Sequence, residues 1–275
     1  MNCAWNELLD ILPPGLREQV DVIGRTRLLE LRLRCGQGPV MDCSDGRRLL
    51  SGTVIADTVQ YVVNMACRYS PWTAASATEG FLTAKGGHRI GICGETVLQD
   101  GKVTGFGAMQ SLNIRVARDF PGLAQSLETL QGNVLILGPP GSGKTTLLRD
   151  LIRQRSRYEN LAVVDSRGEL FPLGFSRGWG VDVLTGCDKS TGMTMLLRTM
   201  GPDTLAVDEI THPDDCKGLL QAGWCGVGLL ATAHAGSLQE LYRRPIYAPL
   251  IRGKLFDYAV VMHRDRTFRV ERMEA

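Results

Sequence analysis

Eight residues, Gly138-Pro139-Pro140-Gly141-Ser142-Gly143-Lys144-Thr145, constrain the fold of this chain more than any other stretch. They satisfy the G-x-x-x-x-G-K-[ST] pattern of a phosphate-binding loop, which carries weight only between a strand and a helix. Both flanks comply. Asn133-Val134-Leu135-Ile136-Leu137 is a short apolar run that reads as a buried strand, and Thr146-Leu147-Leu148-Arg149-Asp150-Leu151-Ile152-Arg153 has helical apolar spacing. Glycines let backbone N–H groups turn inward around phosphate oxygens, and the helix N-terminus adds partial positive charge. Lys144 is placed to reach β- and γ-phosphates and the Thr145 hydroxyl to ligate Mg²⁺, with Thr146 following on the helix. ATP with Mg²⁺ is the expected ligand.

Leu205-Ala206-Val207-Asp208-Glu209 is an apolar strand ending in two acids, 65 residues beyond Lys144 (209 − 144). Asp208 fits a metal-holding role, directly or through water, and Glu209 that of a general base on an attacking water. A small-molecule kinase must exclude water and has less use for such a glutamate. The L-S-G-G-Q-like signature of ABC-type ATPases is also missing before this strand, where Thr191 to Met200 stands instead. An ATPase motor is the expected class. His234 closes the next strand, where ligands of open α/β sheets sit, and is a candidate to sense the γ-phosphate or orient the water. Val164-Asp165-Ser166-Arg167-Gly168-Glu169 ends the strand after the loop helix; Asp165 and Glu169 are candidates to approach the nucleotide and Arg167 to pair with an acid or a phosphate. A solvated charged loop is the alternative reading of that stretch.

Around these motifs the chain reads as two domains. From about residue 119 strands alternate with helices, as in a parallel α/β sheet. Strands are expected near Val134–Leu137, Ala162–Asp165, Val181–Leu184, Thr204–Asp208 and Val227–Thr232, and helices over Lys144–Gln154, Thr191–Met200 and Pro213–Gly223. Two final strands, Tyr258–Met262 and Thr267–Val270, close the pattern. Residues 1–118 read as a smaller α+β domain, joined at the turn-rich Asp119-Phe120-Pro121-Gly122. Its expected elements are a short helix stopped by Pro13-Pro14, strands at Leu28–Arg34 and Pro39–Cys43, and helices over Ile55–Tyr69 and Trp72–Glu79. A glycine-rich strand over Gly86–Glu95, a hairpin turning at Asp100-Gly101 and a strand over Ser111–Arg118 complete it.

Composition narrows the class further. A net charge of +2 without single-sign blocks does not imply nonspecific attraction to nucleic acid or anionic membrane. The eight cysteines form no C-x-x-C pair and point to a reducing compartment. No apolar run is long enough to span a bilayer and no secretory signal opens the chain, so a cytoplasmic protein reaching membrane only through partners is expected.

The constellation resembles the type II/type IV secretion ATPases, with Asp165–Glu169 matching their Asp box and Thr232-Ala233-His234 their His box. One branch is closer, the stage III sporulation protein AA family. Its likeness rests on Glu30-Leu31-Arg32-Leu33-Arg34, Gly86-Gly87-His88-Arg89-Ile90-Gly91, Leu112–Arg118 and Met195–Asp203. The resemblance implies a RecA-like P-loop ATPase domain forming a ring, a hexamer, in the mother cell. That ring would power or assemble a secretion-like channel, with membrane proteins as partners, at the membrane around the forespore. It also implies an arginine from the N-terminal domain closing on the nucleotide, with Arg115 or Arg118 as candidates. The family's Asp box has a second acid where this chain has Ser166, which leaves Glu169 for that role. Two rivals stand beside this reading: a nucleic-acid-translocating motor, and an assembly factor that binds ATP without hydrolysing it.

Overall fold

The computed structural model describes residues 3–67, 80–172 and 175–273. Two compact units divide the chain: Met1–Asp119 with Pro172–Phe175, and Phe120–Phe171 with Ser176–Ala275.

The first unit is a six-stranded antiparallel sheet, ordered β3-β2-β1-β6-β5-β4, with helices α1 (Trp5–Asp10), α2 (Pro14–Ile23) and α3 (Ala56–Cys67). The strands are β1 (Leu28–Arg34), β2 (Val40–Cys43), β3 (Gly46–Leu49), β4 (Phe81–Thr83), β5 (Arg89–Gln99) and β6 (Lys102–Arg115). Leu31 and Leu33 of β1 are fully buried with Val59 and Val62 of α3, as alternation demands of a half-buried strand. The other face of β1 carries charge. Arg115, Glu30, Asp42 and Arg47 stand in one cross-strand row, and Arg32 bridges its two acids at 2.6 Å to Glu30 and 3.1 Å to Asp42.

Several expectations are revised here. Pro14 opens a second helix instead of ending the first, since proline suits the first helical turn, where no N–H partner is lost. Gly86 and Gly87, with φ +84 and +79, form a tight turn, so the strand starts at Arg89 and runs on to Gln99. Its partner ends at Arg115, short of Arg118. Asp100 and Gly101 do turn the hairpin, both with positive φ (52 and 75) as a type I′ turn requires. Strand β3, which has no apolar alternation, went unexpected. The Trp72–Glu79 helix lies outside the described residues.

The second unit is a seven-stranded sheet ordered β13-β12-β7-β11-β10-β8-β9, parallel except for the antiparallel edge pair β12–β13. Its strands are β7 (Val134–Leu137), β8 (Leu161–Asp165), β9 (Val181–Thr185), β10 (Thr204–Val207), β11 (Gly228–Ala233), β12 (Tyr258–Met262) and β13 (Phe268–Arg272). The helices are α4 (Lys144–Arg155), α5 (Lys189–Thr199), α6 (Pro213–Trp224), α7 (Leu238–Arg243) and α8 (Ala248–Arg252). The central strands are buried on both faces, which is why they read as continuous apolar runs. Val134, Ile136, Val163, Ala206 and Leu230 pack with Leu147, Leu148 and Leu151 of α4. Leu135, Leu137, Val164, Leu205 and Ala231 point the other way, into the cluster holding Met193 of α5 and Leu219 of α6. Helices on both faces of a parallel sheet make a doubly wound α/β layer structure.

Candidate functional site

Strands β7, β11, β10 and β8 are parallel neighbours, so their C-terminal ends open on one edge of the sheet. Register aligns Leu137 with Ala233, and Val207 with both Ala231 and Val164. Gly138, His234, Asp208 and Asp165 therefore come to a common rim, the place where ligands sit in open α/β sheets.

The loop from Gly138 to Gly143 is shaped by close approach. A Cβ on Gly138 would lie 2.6 Å from Ser142 Oγ and 3.0 Å from the Met262 carbonyl. Gly143 caps α4 with φ +98, a conformation that a side chain resists. The Ser142 hydroxyl is buried without a hydrogen-bond partner. Pro139, Pro140 and Gly141 form the crest of the loop, and Thr146 follows Thr145 in the first turn of α4.

Lys144, 6% exposed, folds back over the loop. Its ammonium donates to the Gly138 and Pro139 carbonyls, each at 3.0 Å, and to His234 Nδ1 at 3.1 Å. Burial lowers its pKa, and the charges of Asp208 and Glu209 oppose that shift. Since an ammonium only donates, Nδ1 of His234 accepts and the ring proton sits on Nε2. That nitrogen donates to Glu209 Oε1 at 2.7 Å, and Arg167 reaches Glu209 Oε2 at 3.1 Å. Burial pushes the Glu209 carboxyl up, but the His234 hydrogen bond and the Arg167 charge outweigh it and hold the group below its ordinary value.

Asp208 is engaged on both oxygens. Thr145 Oγ1 donates to Oδ2 at 2.7 Å and Thr232 Oγ1 to Oδ1 at 2.6 Å. The Thr232 hydroxyl also accepts the Glu209 N–H at 2.8 Å, so one buried threonine aligns both acids. Glu209 has φ +56, a left-handed backbone that costs a residue with a side chain about 1–3 kcal/mol.

Asp165 turns inward. Its carboxylate accepts N–H bonds from Glu169 (2.8 Å), Leu170 (2.9 Å) and Phe171 (3.0 Å) and so folds the loop after β8. Burial raises its pKa, against the pull of those three bonds. Arg149 of α4 fastens the same loop, donating to the carbonyls of Leu170 and Glu169. Glu169 lines a small cavity with Asp165, Arg167, Lys189, Asp208 and Glu209. Asp165→Ala is expected to destabilise the fold by about 3 kcal/mol or more, because it strips the acceptor from buried N–H groups. Asp165→Asn, which keeps one acceptor oxygen, should lose less; denaturant titration measures both.

Arg115 lies on the first unit, its Nε 3.2 Å from Glu30, and Arg118 donates to the Leu28 carbonyl. Three contributions in the second unit escape a sequence reading, that of the Thr232 hydroxyl among them although the His-box likeness includes the residue. Thr232 had one usable signal, a hydroxyl inside an otherwise apolar strand that must find a buried partner. Arg149 had none, because at helical spacing it stands off the stripe of Leu147, Leu148, Leu151 and Ile152. Lys189 had none, standing beside a helix-capping aspartate like many surface lysines.

The model of the family described as sporulation stage III, protein AA matches residues 5–271. The stage III sporulation protein AA of Bacillus subtilis (strain 168) is 33% identical over 94% of this chain and 91% of its own length. Among solved structures, the Legionella pneumophila ATPase DotB superposes with a TM-score of 0.60 at 15% identity, covering 95% of this chain and 80% of its own. The ADP-bound pilus retraction motor PilT gives 0.59 at 14% identity, over 93% and 77%. At that identity the likeness is one of fold, the RecA-like ATPase fold.

Proposed function

The chain belongs to the sporulation stage III protein AA family, and we propose that it is a Mg²⁺-dependent ATPase working as a ring motor, a hexamer. In this reading it powers or assembles a channel at the forespore membrane, from the mother-cell side and through membrane-protein partners. Among the described residues no helix is long and apolar enough to cross a membrane. One observation carries the proposal: Thr145, Asp208, Thr232, Glu209, His234 and Lys144 form a continuous hydrogen-bonded cluster at the mouth of the phosphate loop. Phosphate-binding, metal-holding and water-activating groups are thereby held in register.

The loop glycines, the Lys144 ammonium and the partnerless Ser142 hydroxyl bind the phosphates. Thr145 and Asp208 supply hard oxygen donors, a set that suits Mg²⁺, which keeps its other positions for water and phosphate oxygens. Bound there, the ion would neutralise charge on the phosphates. Glu209 takes a proton from the attacking water as the water oxygen bonds to the γ-phosphorus and the bond from that phosphorus to the β–γ bridging oxygen breaks, releasing ADP. His234 orients Glu209, and Glu169 stands on the cavity wall as second acid. Arg115 closes on the nucleotide of a neighbouring protomer. Turnover measured across a protein concentration series tests this: the rate per protomer should climb as the ring assembles. Nucleotide binding with no turnover at any concentration would favour the assembly-factor alternative, and stimulation by DNA or RNA the translocating one.

A further inference from the structure

We propose that Lys189 is a positioning residue for Glu209, acting on its backbone and not on its carboxylate. The inference rests on the ATPase reading only for its kinetic consequence. Lys189 opens α5, and its ammonium donates to the Glu209 carbonyl at 2.5 Å and to Thr211 Oγ1 at 3.3 Å. It is anchored from behind by Asp215, whose Oδ2 lies 3.5 Å away. Asp215 is itself fixed, accepting N–H bonds from Thr211 (2.9 Å) and His212 (3.0 Å) at the start of α6. Both side chains are largely withdrawn from water, 14% and 8% exposed, so neither charge is free to swing out.

Glu209 is therefore held at both ends of its peptide backbone: the Thr232 hydroxyl takes its N–H and Lys189 binds its C=O. These bonds hold the left-handed φ of +56 that a glutamate does not favour. That backbone in turn sets where the carboxylate meets His234 and Arg167. Lys189 also lines the cavity beside Asp208 and Glu209, which puts it on the wall of the same site.

Lys189→Met keeps the apolar stem and removes the ammonium, while Asp215 retains its two N–H donors. The expected result is a kcat lower by roughly 10- to 100-fold, the scale of a misplaced catalytic group. Affinity for a fluorescent ATP analogue should stay within about twofold, since the Lys189 ammonium is directed to Glu209, Thr211 and Asp215 and not to the phosphate loop. Lys189→Arg, which restores a cation, should recover part of the rate. In a Glu209→Gln background Lys189→Met should lower the residual rate no further, because a residue acting through Glu209 has nothing left to position. Additive losses, or a loss confined to nucleotide affinity, would overturn the inference. A crystal structure of Lys189→Met, with Lys189→Gln as the substitute if the first does not fold, reads the same point without turnover. Glu209 should leave the left-handed region; a retained positive φ sinks the inference even if the protein proves to be no ATPase. An inactive wild type with a relaxed Glu209 in the variant would instead count against the ATPase reading alone.

Discussion

Glu209→Gln is expected to lower ATP turnover by roughly 10²- to 10⁴-fold, the usual contribution of a positioned general base. Nucleotide binding should survive. The amide is the same size as the carboxylate and its oxygen can still accept from His234 Nε2, but it cannot take a proton from water. Phosphate release and analogue binding measured side by side separate the two effects. Turnover at the wild-type rate would remove Glu209 from the base role. The electrostatics add a pH signature. Burial alone would raise the carboxyl, but the His234 hydrogen bond and the Arg167 charge prevail and depress it. A depressed carboxylate is ionised at every pH above its folded pKa, so activity that depends on it persists through neutrality. It is lost only as pH falls through a value below that of an ordinary glutamate. Arg167→Ala should move that acid limb upward.

Lys144→Ala should abolish binding itself. Two charge-assisted bonds to phosphate, each about 1.5–3 kcal/mol, place the loss at roughly 100-fold or more. The variant also leaves the Gly138 and Pro139 carbonyls and His234 Nδ1 without their donor. Its thermal midpoint should no longer rise on adding Mg²⁺ and ATP, whereas that of Glu209→Gln still should. Undiminished stabilisation by nucleotide in Lys144→Ala would mean that the loop is not the phosphate site.

The strand–loop–helix unit at Gly138–Thr145 was legible because its chemistry is local: glycine spacing, one lysine and an apolar run on either side. Asp208 and Glu209 were legible for the same reason. The sheet order was not. That β11 lies between β7 and β10 is a fact of non-local pairing, and no periodicity encodes which parallel strand neighbours which. That insertion is what brings Thr232 and His234 between the phosphate loop and the acids. Asp165 shows another limit: its acid matches the motif, yet its carboxylate is spent on three backbone N–H groups of its own loop. Lys189 shows a third, because its meaning depends on a backbone carbonyl 20 residues away. The short helices α7 and α8 had no apolar periodicity long enough to announce them.

The row of charges on the polar face of β1 holds Arg115 only weakly. Arg115 is 64% exposed and touches only one acid of the row, whereas Glu30 keeps Arg32 at 2.6 Å when Arg115 departs. An exposed ion pair is worth about 0–1 kcal/mol, so its release is cheap and strands no carboxylate. Arg32, gripped by two acids from adjacent strands, cannot leave on the same terms. The row thus ends in a guanidinium whose release costs little, which is the condition that the proposed closure of Arg115 on a nucleotide requires.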